Sequence, residues 1–417
     1  MLEIKTAYKK NNDIKNYDKE TAAVDAIIKD VRVRGDAALF AYAKEFDKAD
    51  VNKDTIKVTD HEIAKAYDSV DPDLLKTLLK CKTNILKYHE RQLSAGEFDG
   101  STGWKFAPVK RAGLYVPGGL ASYPSSVLMC ALPAVAAGVS DIAVASPNVK
   151  NPLILAAAKI CGINKIYKIG GAHAIAALAY GTESVEKVDV IAGPGNIYVT
   201  LAKRRVFGDV GIDMLAGPSE IALIADETAD ADYIIADLLS QAEHGANGEF
   251  VLITTSAGLA ARVAGELRAA AGRTDRHDIT EASVDKGCQI ILVKDIKRAV
   301  SVANEVAAEH LEICTANAYE VSKGIYNAGA IFIGHHTPVA AGDYFAGPSH
   351  VLPTNGNSRF SSVLSVDAFL KRISLIGYGE KQLEDAADDI IRMAETEGFF
   401  AHADSVRVRL KNYNKHK

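Results

Sequence analysis

The sequence predicts an α/β fold with two lobes built on parallel sheets and a small helical tail domain at the C-terminus. From Lys110 onward, short β-branched runs alternate with apolar helical segments, and a second alternating series follows Gly217. Strands separated by helices are typical of parallel sheets with crossover helices. At 417 residues the chain is also too long for one small core, so two or three domains are expected.

The elements of the first series follow a helical N-terminal region. Apolar residues spaced three and four apart, as in KETAAVDAIIKDVRVRGDAALFAYAKEF, predict helices over the first hundred residues. Strands are then predicted in AGLYVPGG, DIAVASP, KIYKIGG and KVDVIAGPGN. Helices are predicted in SSVLMCALPAVAAGV, PLILAAAKICG, HAIAALAYG and IYVTLAKRRVFG. The basic run KRR in the last of these indicates a solvated helix face.

The second series has the same alternation and ends in a long irregular segment. Helices are predicted at 229–244, 257–270 and 296–307, and strands at 249–255, 289–294, 311–314 and 329–334. Residues 335–355 are rich in glycine and proline and lack periodicity, so a long loop is predicted there. Such loops usually carry function in compact enzymes. A final helix is predicted at roughly 379–397.

These elements predict a division into three domains. Residues 1–110 together with 217–365 form the first α/β lobe, and residues 111–216 form the second. Both are expected to be incomplete Rossmann-like lobes. Residues 366–417 form the tail domain.

Composition and charge narrow the class of protein. A net charge of -5 and a pI near 6.1 argue against a nucleic-acid or anionic-membrane surface. The N-terminus has no apolar signal segment, and the apolar run 127–139 is too short to span a bilayer. Five scattered cysteines without a CxxC pair indicate reduced thiols in a cytoplasmic protein and exclude a cysteine zinc site.

Four glycine-containing turns are candidate ligand sites at the carboxyl ends of strands. They are YVPGG (115–119), IGGAH (169–173), AGPGN (192–196) and AGPSE (216–220). Glycine lets a backbone approach a ligand closely, and helix N-termini after such turns can receive phosphate. The dinucleotide fingerprint GxGxxG is absent, because GPGNIY has Tyr198 in place of the third glycine. Each turn alone is also consistent with an ordinary strand–helix connection.

Several polar residues could carry chemistry, each with an ordinary structural alternative. Glu309 and His310 are adjacent, as general acid–base catalysis favours, but this dipeptide is commonly solvated. Gln241 and His244 share one helix face, yet a histidine before Gly245 also suits a helix end. A turn residue in the long loop and a tail histidine complete a set of oxygen and nitrogen ligands that zinc accepts: Gln241, His244, Asp343 and His402.

Long collinear motifs resemble one enzyme family over nearly the whole chain. They include GGAHAIAALAYGTESVEKVDVIAGPGNIYVTLAKRRV, IDMLAGPSEIALIAD, SQAEHG, AAEHLEI, GDYFAGPSHVLPTNG and EGFFAH. In these motifs the chain closely resembles the histidinol dehydrogenases. The resemblance implies a zinc-dependent cytoplasmic homodimer that oxidises L-histidinol to L-histidine through bound L-histidinal, using two NAD in succession.

The resemblance also implies a role for each matched residue. Zinc, one ion per subunit, is assigned to Gln241, His244, Asp343 and His402. The catalytic pair is Glu309 and His310. Substrate contacts are assigned to Ser219, His350 and Glu397 besides His310 and the zinc ligands, and NAD contacts to Tyr115, His173 and Asn196. Shared active sites are implied, with Glu397 and His402 coming from the partner subunit.

Two departures and three rivals accompany this interpretation. The family often has glutamine at the position of His173 and asparagine at that of Ser349. A paralogous NAD-dependent dehydrogenase for another small polar alcohol or diol would turn over analogues without imidazole. A zinc hydrolase would need no nicotinamide, so no NADH would form. If the chain were a non-catalytic binding protein, Glu309 and His310 would have no role beside the predicted metal ligands.

Overall fold

The computed structural model describes residues 2–9, 17–118, 123–147, 149–245 and 247–413. Gly119 of the predicted YVPGG turn lies outside the described residues. The chain forms two compact units, the larger from Met1–Leu93 and Pro108–Phe369 and the smaller from Ser94–Ala107 and Leu370–Lys417. No helix in the described ranges is long and apolar enough to cross a bilayer.

The larger unit contains two parallel sheets. The strands of the chain are β1 (Ile4–Lys5), β2 (Glu97–Phe98), β3 (Thr102–Pro108), β4 (Arg111–Tyr115), β5 (Asp141–Ala145), β6 (Lys165–Tyr167), β7 (Val190–Ala192), β8 (Gly211–Ile212), β9 (Glu220–Ala225), β10 (Glu249–Thr254), β11 (Cys288–Leu292), β12 (His310–Cys314), β13 (Ala330–Ile333) and β14 (Leu370–Ile376). One sheet has the order β6-β5-β4-β7-β8 and the other β1-β11-β10-β9-β12-β13, all neighbours being parallel. The predicted fold class is confirmed.

Helices connect these strands. They are α1 (Asp18–Arg34), α2 (Asp36–Phe46), α3 (Asp60–Asp68), α4 (Pro72–Glu90), α5 (Pro124–Ala136), α6 (Pro152–Ile160), α7 (Gly171–Tyr180), α8 (Ile197–Val206), α9 (Ala231–Ala242), α10 (Ala257–Ala271), α11 (His277–Gly287), α12 (Ile296–Val306), α13 (Ala318–Ser322), α14 (Val339–Tyr344), α15 (Glu380–Thr396) and α16 (Phe400–Tyr413). Two 3₁₀ turns, Asn357–Arg359 and Val366–Phe369, close the larger unit. Buried apolar residues line both central strands β4 and β9, as parallel sheets covered on both faces require.

The N-terminal helices pack beside the five-stranded sheet. Helix α1 lies against α7 and α8, α3 against α6, and α4 against α5. Val24, Ile28 and Leu39 share one buried cluster with Ile175 and Leu178. This packing differs from the predicted grouping of residues 1–110 with 217–365, although β1 does pair with β11. The other boundaries of the predicted lobes stay predictions.

Three local predictions need correction. The segment 335–355 is not wholly irregular, because helix α14 lies within it. Its six residues are too few to show a helical period in the sequence. The smaller unit is not purely helical, since it holds the three-stranded sheet β14-β3-β2 besides α15 and α16. Lys203 of the KRR run is buried rather than solvated.

Candidate active site

Glu309 and His310 lie buried where strand β12 begins, beside the first residue of strand β9. His310 pairs in register with Ile221, so the two strands present their amino ends together. The Glu220 backbone N–H donates to Glu309 Oε2 at 3.1 Å, and His310 Nδ1 donates to the Glu220 carbonyl oxygen at 3.1 Å. The backbone of a single residue, Glu220, therefore holds both side chains. His310 Nδ1 lies 3.6 Å from Glu309 Oε2.

This hydrogen bond defines which ring nitrogen of His310 is available for chemistry. A carbonyl oxygen only accepts, so Nδ1 carries a proton. Nε2 is buried and has no hydrogen-bond partner among the described residues. It lies 3.6 Å from Oδ1 of Asp343. His310 therefore directs Nε2 toward Asp343 and is placed to exchange a proton there.

Burial and mutual charge shift the titration of this pair. Burial raises the pKa of the Glu309 carboxyl to about 7, against the opposing effect of His310. Burial alone lowers the pKa of His310, but the carboxylates of Glu309 and Asp343 outweigh it and raise that pKa to about 9. Two adjacent groups whose pKa values are about 7 and about 9 suit proton transfer at neutral to mildly alkaline pH.

Asp343 belongs to the short helix α14. His350 Nδ1 donates to the Asp343 backbone oxygen at 3.0 Å, and its Nε2 lies 3.2 Å from Ser126 Oγ. A Cβ at Gly342 would lie 2.7 Å from a ring carbon of Phe332, so glycine is required for α14 to pack this closely on β13. Burial lowers the pKa of His350, which favours the neutral ring.

Gln241 lies in the last turn of helix α9, whereas His244 follows the C-cap, so the helix is shorter than the predicted 229–244. The helix ends at Ala242 with Glu243 as its C-cap, and Gln241 is only 2% exposed. Within the described part of the chain, neither side chain makes a hydrogen bond. Burial lowers the pKa of His244, while the carboxylate of Asp343 acts in the opposite direction. His244 is therefore within electrostatic reach of Asp343, and a neutral imidazole is the form that ligates a metal.

Three of the four predicted metal ligands, Gln241, His244 and Asp343, lie in the larger unit. Among the described residues, no three His, Cys, Asp or Glu side chains converge on one point that could hold an ion. The predicted metal ligands in this unit include only two residues of these four types, His244 and Asp343, because the third ligand is the amide of Gln241.

The three predicted NAD contacts line one cavity of about 610 Å³ beside the five-stranded sheet. Tyr115, His173 and Asn196 form its wall together with Phe46 and Asp47. Tyr115 Oη accepts the N–H of Gly171 at 3.1 Å, at the N-terminus of α7. Asn196 caps α8 by accepting from the Tyr198 and Val199 N–H groups. The cavity thus faces two helix N-termini, where anions bind well.

His173, which replaces the glutamine frequent in the resembled family, has a carboxylate partner. Its Nε2 lies 2.9 Å from Asp47 Oδ2, and the same oxygen accepts the Gly170 N–H at 2.8 Å. The carboxylate can only accept, so Nε2 carries the proton and Nδ1 is the nitrogen left for another partner. The side chain of His173 is 1% exposed.

A buried ion pair holds the AGPGN turn. Lys203 and Asp213 form a salt bridge. Lys203 Nζ donates to the Gly193 carbonyl at 3.0 Å and Asp213 Oδ2 accepts the Gly193 N–H at 2.8 Å. Gly193 has φ +121°, and a Cβ there would collide with the Tyr115 carbonyl oxygen. The turn is therefore clamped on both sides of its first glycine.

The remaining predicted residues are placed as follows. Ser219 is half-buried and precedes β9, so the AGPSE turn leads into the amino end of a strand rather than following a carboxyl end. In the smaller unit, Glu397 is the C-cap of α15, and the ring of His402 lies 5.4 Å from that of Phe399. Both side chains are exposed within that unit.

Four site residues were not found by sequence reasoning. Glu220 acts through its backbone, Asp47 orients His173, Ser126 contacts His350, and Asp213 holds Gly193. Glu220 and Asp213 carry a sequence signal, because both lie in the motif IDMLAGPSEIALIAD. Asp47 and Ser126 lie in none of the motifs quoted for the resemblance, and their partners are 126 and 224 positions away in the chain.

Comparisons with known proteins agree on one family. A family model described as histidinol dehydrogenase matches residues 9–410. Histidinol dehydrogenase of Heliobacterium mobile is 48% identical over 397 residues, covering 93% of each chain. That of Clostridium acetobutylicum is 47% identical, covering 93% of this chain and 92% of the relative.

Solved structures support the same assignment. The crystal structure of histidinol dehydrogenase from Elizabethkingia anophelis has a TM-score of 0.90 and 36% identity, covering 98% of this chain and 95% of that one. An acetylating aldehyde dehydrogenase from Geobacillus thermoglucosidasius has a TM-score of 0.51 at 13% identity, covering 88% of this chain and 98% of that one. The second likeness shows a shared fold only. The chain therefore belongs to the histidinol dehydrogenase family and is an oxidoreductase.

Proposed function

We propose that this chain oxidises L-histidinol to L-histidine in two successive steps at one site, with L-histidinal held between them. The observation that carries the proposal is the buried Glu309–His310 pair, held by Glu220 and directed toward Asp343. Such a pair supplies the proton transfers that oxidation of an alcohol and then of an aldehyde requires. Membership of the family supplies the substrate.

Zinc and NAD complete the proposed site. Gln241, His244 and Asp343, with His402 of the partner subunit, would hold one zinc ion per subunit. When bound, zinc would orient the substrate through its imidazole and amine, away from the reacting carbon. NAD in the cavity of Tyr115, His173 and Asn196 would supply the hydride acceptor in each step.

His310 serves the first oxidation. In the neutral ring the Nδ1 proton is committed to the Glu220 carbonyl oxygen, so Nε2 takes the hydroxyl proton while hydride leaves the alcohol carbon. Because the pKa of His310 is raised to about 9, this neutral form increases as the pH rises toward 9. The adjacent Asp343 carboxylate stabilises the imidazolium that results. The product of this step is the aldehyde.

Glu309 serves the second oxidation. Its carboxyl has a pKa of about 7, so a carboxylate is available near neutral pH without losing basicity. It takes a proton from the water that attacks the aldehyde carbon. The resulting gem-diol gives up the second hydride, and the water oxygen becomes part of the product carboxylate. Two hydrides thus leave to two NAD molecules.

We further propose a cytoplasmic homodimer with shared active sites. Glu397 and His402 are exposed in their own unit, which leaves them accessible to another subunit. In this arrangement Glu397 of the partner subunit would accept the substrate imidazole N–H. Ser219 and His350 would complete the substrate contacts.

Steady-state NADH formation tests the proposal most directly. Purified protein is assayed with L-histidinol and NAD, with and without a chelator, and with zinc added back. We expect two NADH per histidinol, loss of activity on chelation and recovery with zinc. Absence of NADH from histidinol in the zinc-loaded protein would refute the proposal, and turnover of an analogue without imidazole would favour the paralogous dehydrogenase.

A further inference from the structure

The segment that follows helix α14 is attached to helices α4 and α5 by side-chain hydrogen bonds. Asn84 Nδ2 of α4 donates to the Phe345 carbonyl oxygen at 2.9 Å, and Ser349 Oγ donates to the Met129 carbonyl oxygen of α5 at 3.1 Å. Ser349 is 2% exposed, and its hydroxyl oxygen also accepts the Val351 N–H at 3.2 Å. The segment therefore lies directly on the two helices.

His350 connects this attachment to helix α14 itself. Its Nδ1 donates to the Asp343 carbonyl oxygen at 3.0 Å, and its Nε2 lies 3.2 Å from Ser126 Oγ of α5. Because a carbonyl oxygen only accepts, Nδ1 carries the proton, and in the neutral ring Nε2 accepts the hydrogen of the Ser126 hydroxyl. Both ring nitrogens thus have protein partners. Ser126 is 3% exposed, so solvent has little access to its bond with His350.

These contacts continue to His310. Asp343 Oδ1 lies 3.6 Å from His310 Nε2, and His310 Nδ1 donates to the Glu220 carbonyl oxygen at 3.1 Å. A continuous chain of polar contacts therefore runs from helix α5 through His350 and α14 to strand β9. The bond at its α5 end, from Ser126 to His350, holds the backbone of Asp343.

We propose that Ser126 is a positioning residue of the active site, which keeps Asp343 in place by fixing the imidazole of His350. The carboxylate of Asp343 then stays opposite His310, where it can stabilise the protonated ring. A substrate that binds His350 through Nε2 would have to displace the Ser126 hydroxyl. The effect on turnover rests on the proposed function, whereas the Ser126–His350 bond and the placement of α14 do not.

Two variants separate the hydroxyl from the general attachment of the segment. Ser126→Ala removes the donor to His350 and is a small change that a helix tolerates well. Asn84→Ala removes the bond to the Phe345 carbonyl oxygen but leaves His350 with both of its partners. It is therefore the matched control.

Modification of His350 by diethyl pyrocarbonate tests the hydrogen bond itself. The reagent attacks an unprotonated ring nitrogen, which in His350 is the Nε2 that the Ser126 hydroxyl occupies. In the full-length protein, peptide mass spectrometry should find His350 modified about fivefold faster in Ser126→Ala and at an unchanged rate in Asn84→Ala. An unchanged rate in Ser126→Ala would overturn the bond.

Hydrogen exchange of the full-length protein tests the placement of α14. Amides of residues 339–344 should exchange about threefold faster or more in Ser126→Ala than in Asn84→Ala, because only the first variant loses the link between α5 and the Asp343 backbone. Equal exchange in the two variants would overturn the positioning role.

Steady-state kinetics of the zinc-loaded protein with L-histidinol and NAD report the consequence for the reaction. In Ser126→Ala, kcat should fall about tenfold and the KM for histidinol should change less than about twofold, because orientation is lost rather than binding. A lower KM with unchanged kcat would show that the hydroxyl only competes with the substrate for His350, and would overturn the positioning role. If the unmodified protein forms no NADH, the proposed function fails, while modification and exchange still decide this inference.

Discussion

Replacing the buried Lys203 with methionine should destabilise the chain more than removing one positive charge from an exposed side chain. The Lys203 side chain is 2% exposed and that of its partner Asp213 is fully buried. Methionine keeps most of the stem but removes the ammonium group. Asp213 then becomes a buried carboxylate without its cation, and the Gly193 carbonyl loses a donor.

The expected magnitude follows from the hydrogen bonds that survive. Removing one partner of a buried ion pair costs about 3–5 kcal/mol, because the other charge is left uncompensated. Asp213 still accepts the N–H groups of Gly193 and Met214, at 2.8 and 2.6 Å. These bonds satisfy part of the remaining charge, so we expect a loss near the lower end, about 3 kcal/mol of unfolding free energy.

Urea unfolding followed by circular dichroism measures this loss, and helix α8 provides its own control. Arg205, two residues away, pairs with Asp25 at the surface, where the two side chains are 56% and 38% exposed. Arg205→Met should cost about 0–1 kcal/mol. Equal losses of unfolding free energy in the two variants would refute the argument that the Lys203–Asp213 pair stabilises the fold because it is buried.

Three further predictions concern the site, the assembly and pH. Glu309→Gln should retain the oxidation of histidinol to the aldehyde better than the oxidation of the aldehyde, because an amide cannot take the proton from water. Each step is measured with its own substrate. Equal loss of both steps would contradict the proposed role of Glu309. Mixing inactive His402→Ala with inactive His244→Ala subunits should restore partial activity if sites are shared, and no recovery in verified mixed dimers would argue against sharing. Burial of Glu62 opposes ionisation, but hydrogen bonds from Lys168 and Thr59 prevail and lower its pKa to about 2. The ionised Glu62 side chain therefore stabilises the fold above the ordinary carboxyl pKa, and this stabilisation is lost as the pH falls toward 2. The unfolding free energies of the unmodified protein and of Glu62→Gln should converge in acid. A difference that stays constant with pH would contradict the assignment.

The regular elements were predictable because their periodicity is long and local. Helix 257–270 and strand 249–255 were expected, and the structure has Ala257–Ala271 and Glu249–Thr254. Gln241 could be placed near the end of a helix from the sequence, whereas His244, predicted to lie in the same helix, follows its C-cap. The buried position of the Glu309–His310 pair was not evident from the dipeptide, because burial there depends on β9.

The supporting residues were not predictable, since their partners are distant in sequence. Asp47 and His173 are 126 positions apart, and Ser126 and His350 are 224 apart. Lys203 sits in a run of three cations that favours a solvated face by composition, and only the fold reveals its carboxylate partner.

One short segment connects the two halves of the site. Asp213 holds the Gly193 turn beside the cavity of the five-stranded sheet, and Glu220 holds Glu309 and His310 through its backbone. The chain between these two residues can span at most about 25 Å, so the cavity wall and the acid–base pair cannot separate far. The five-stranded sheet contributes the carboxyl end of β7 to this arrangement, whereas the six-stranded sheet contributes the amino ends of β9 and β12. The usual rule that ligands bind at the carboxyl ends of strands would therefore apply only to the proposed NAD cavity. On the other side, the first residue of β9 holds Glu309 and His310 through its backbone N–H and carbonyl oxygen.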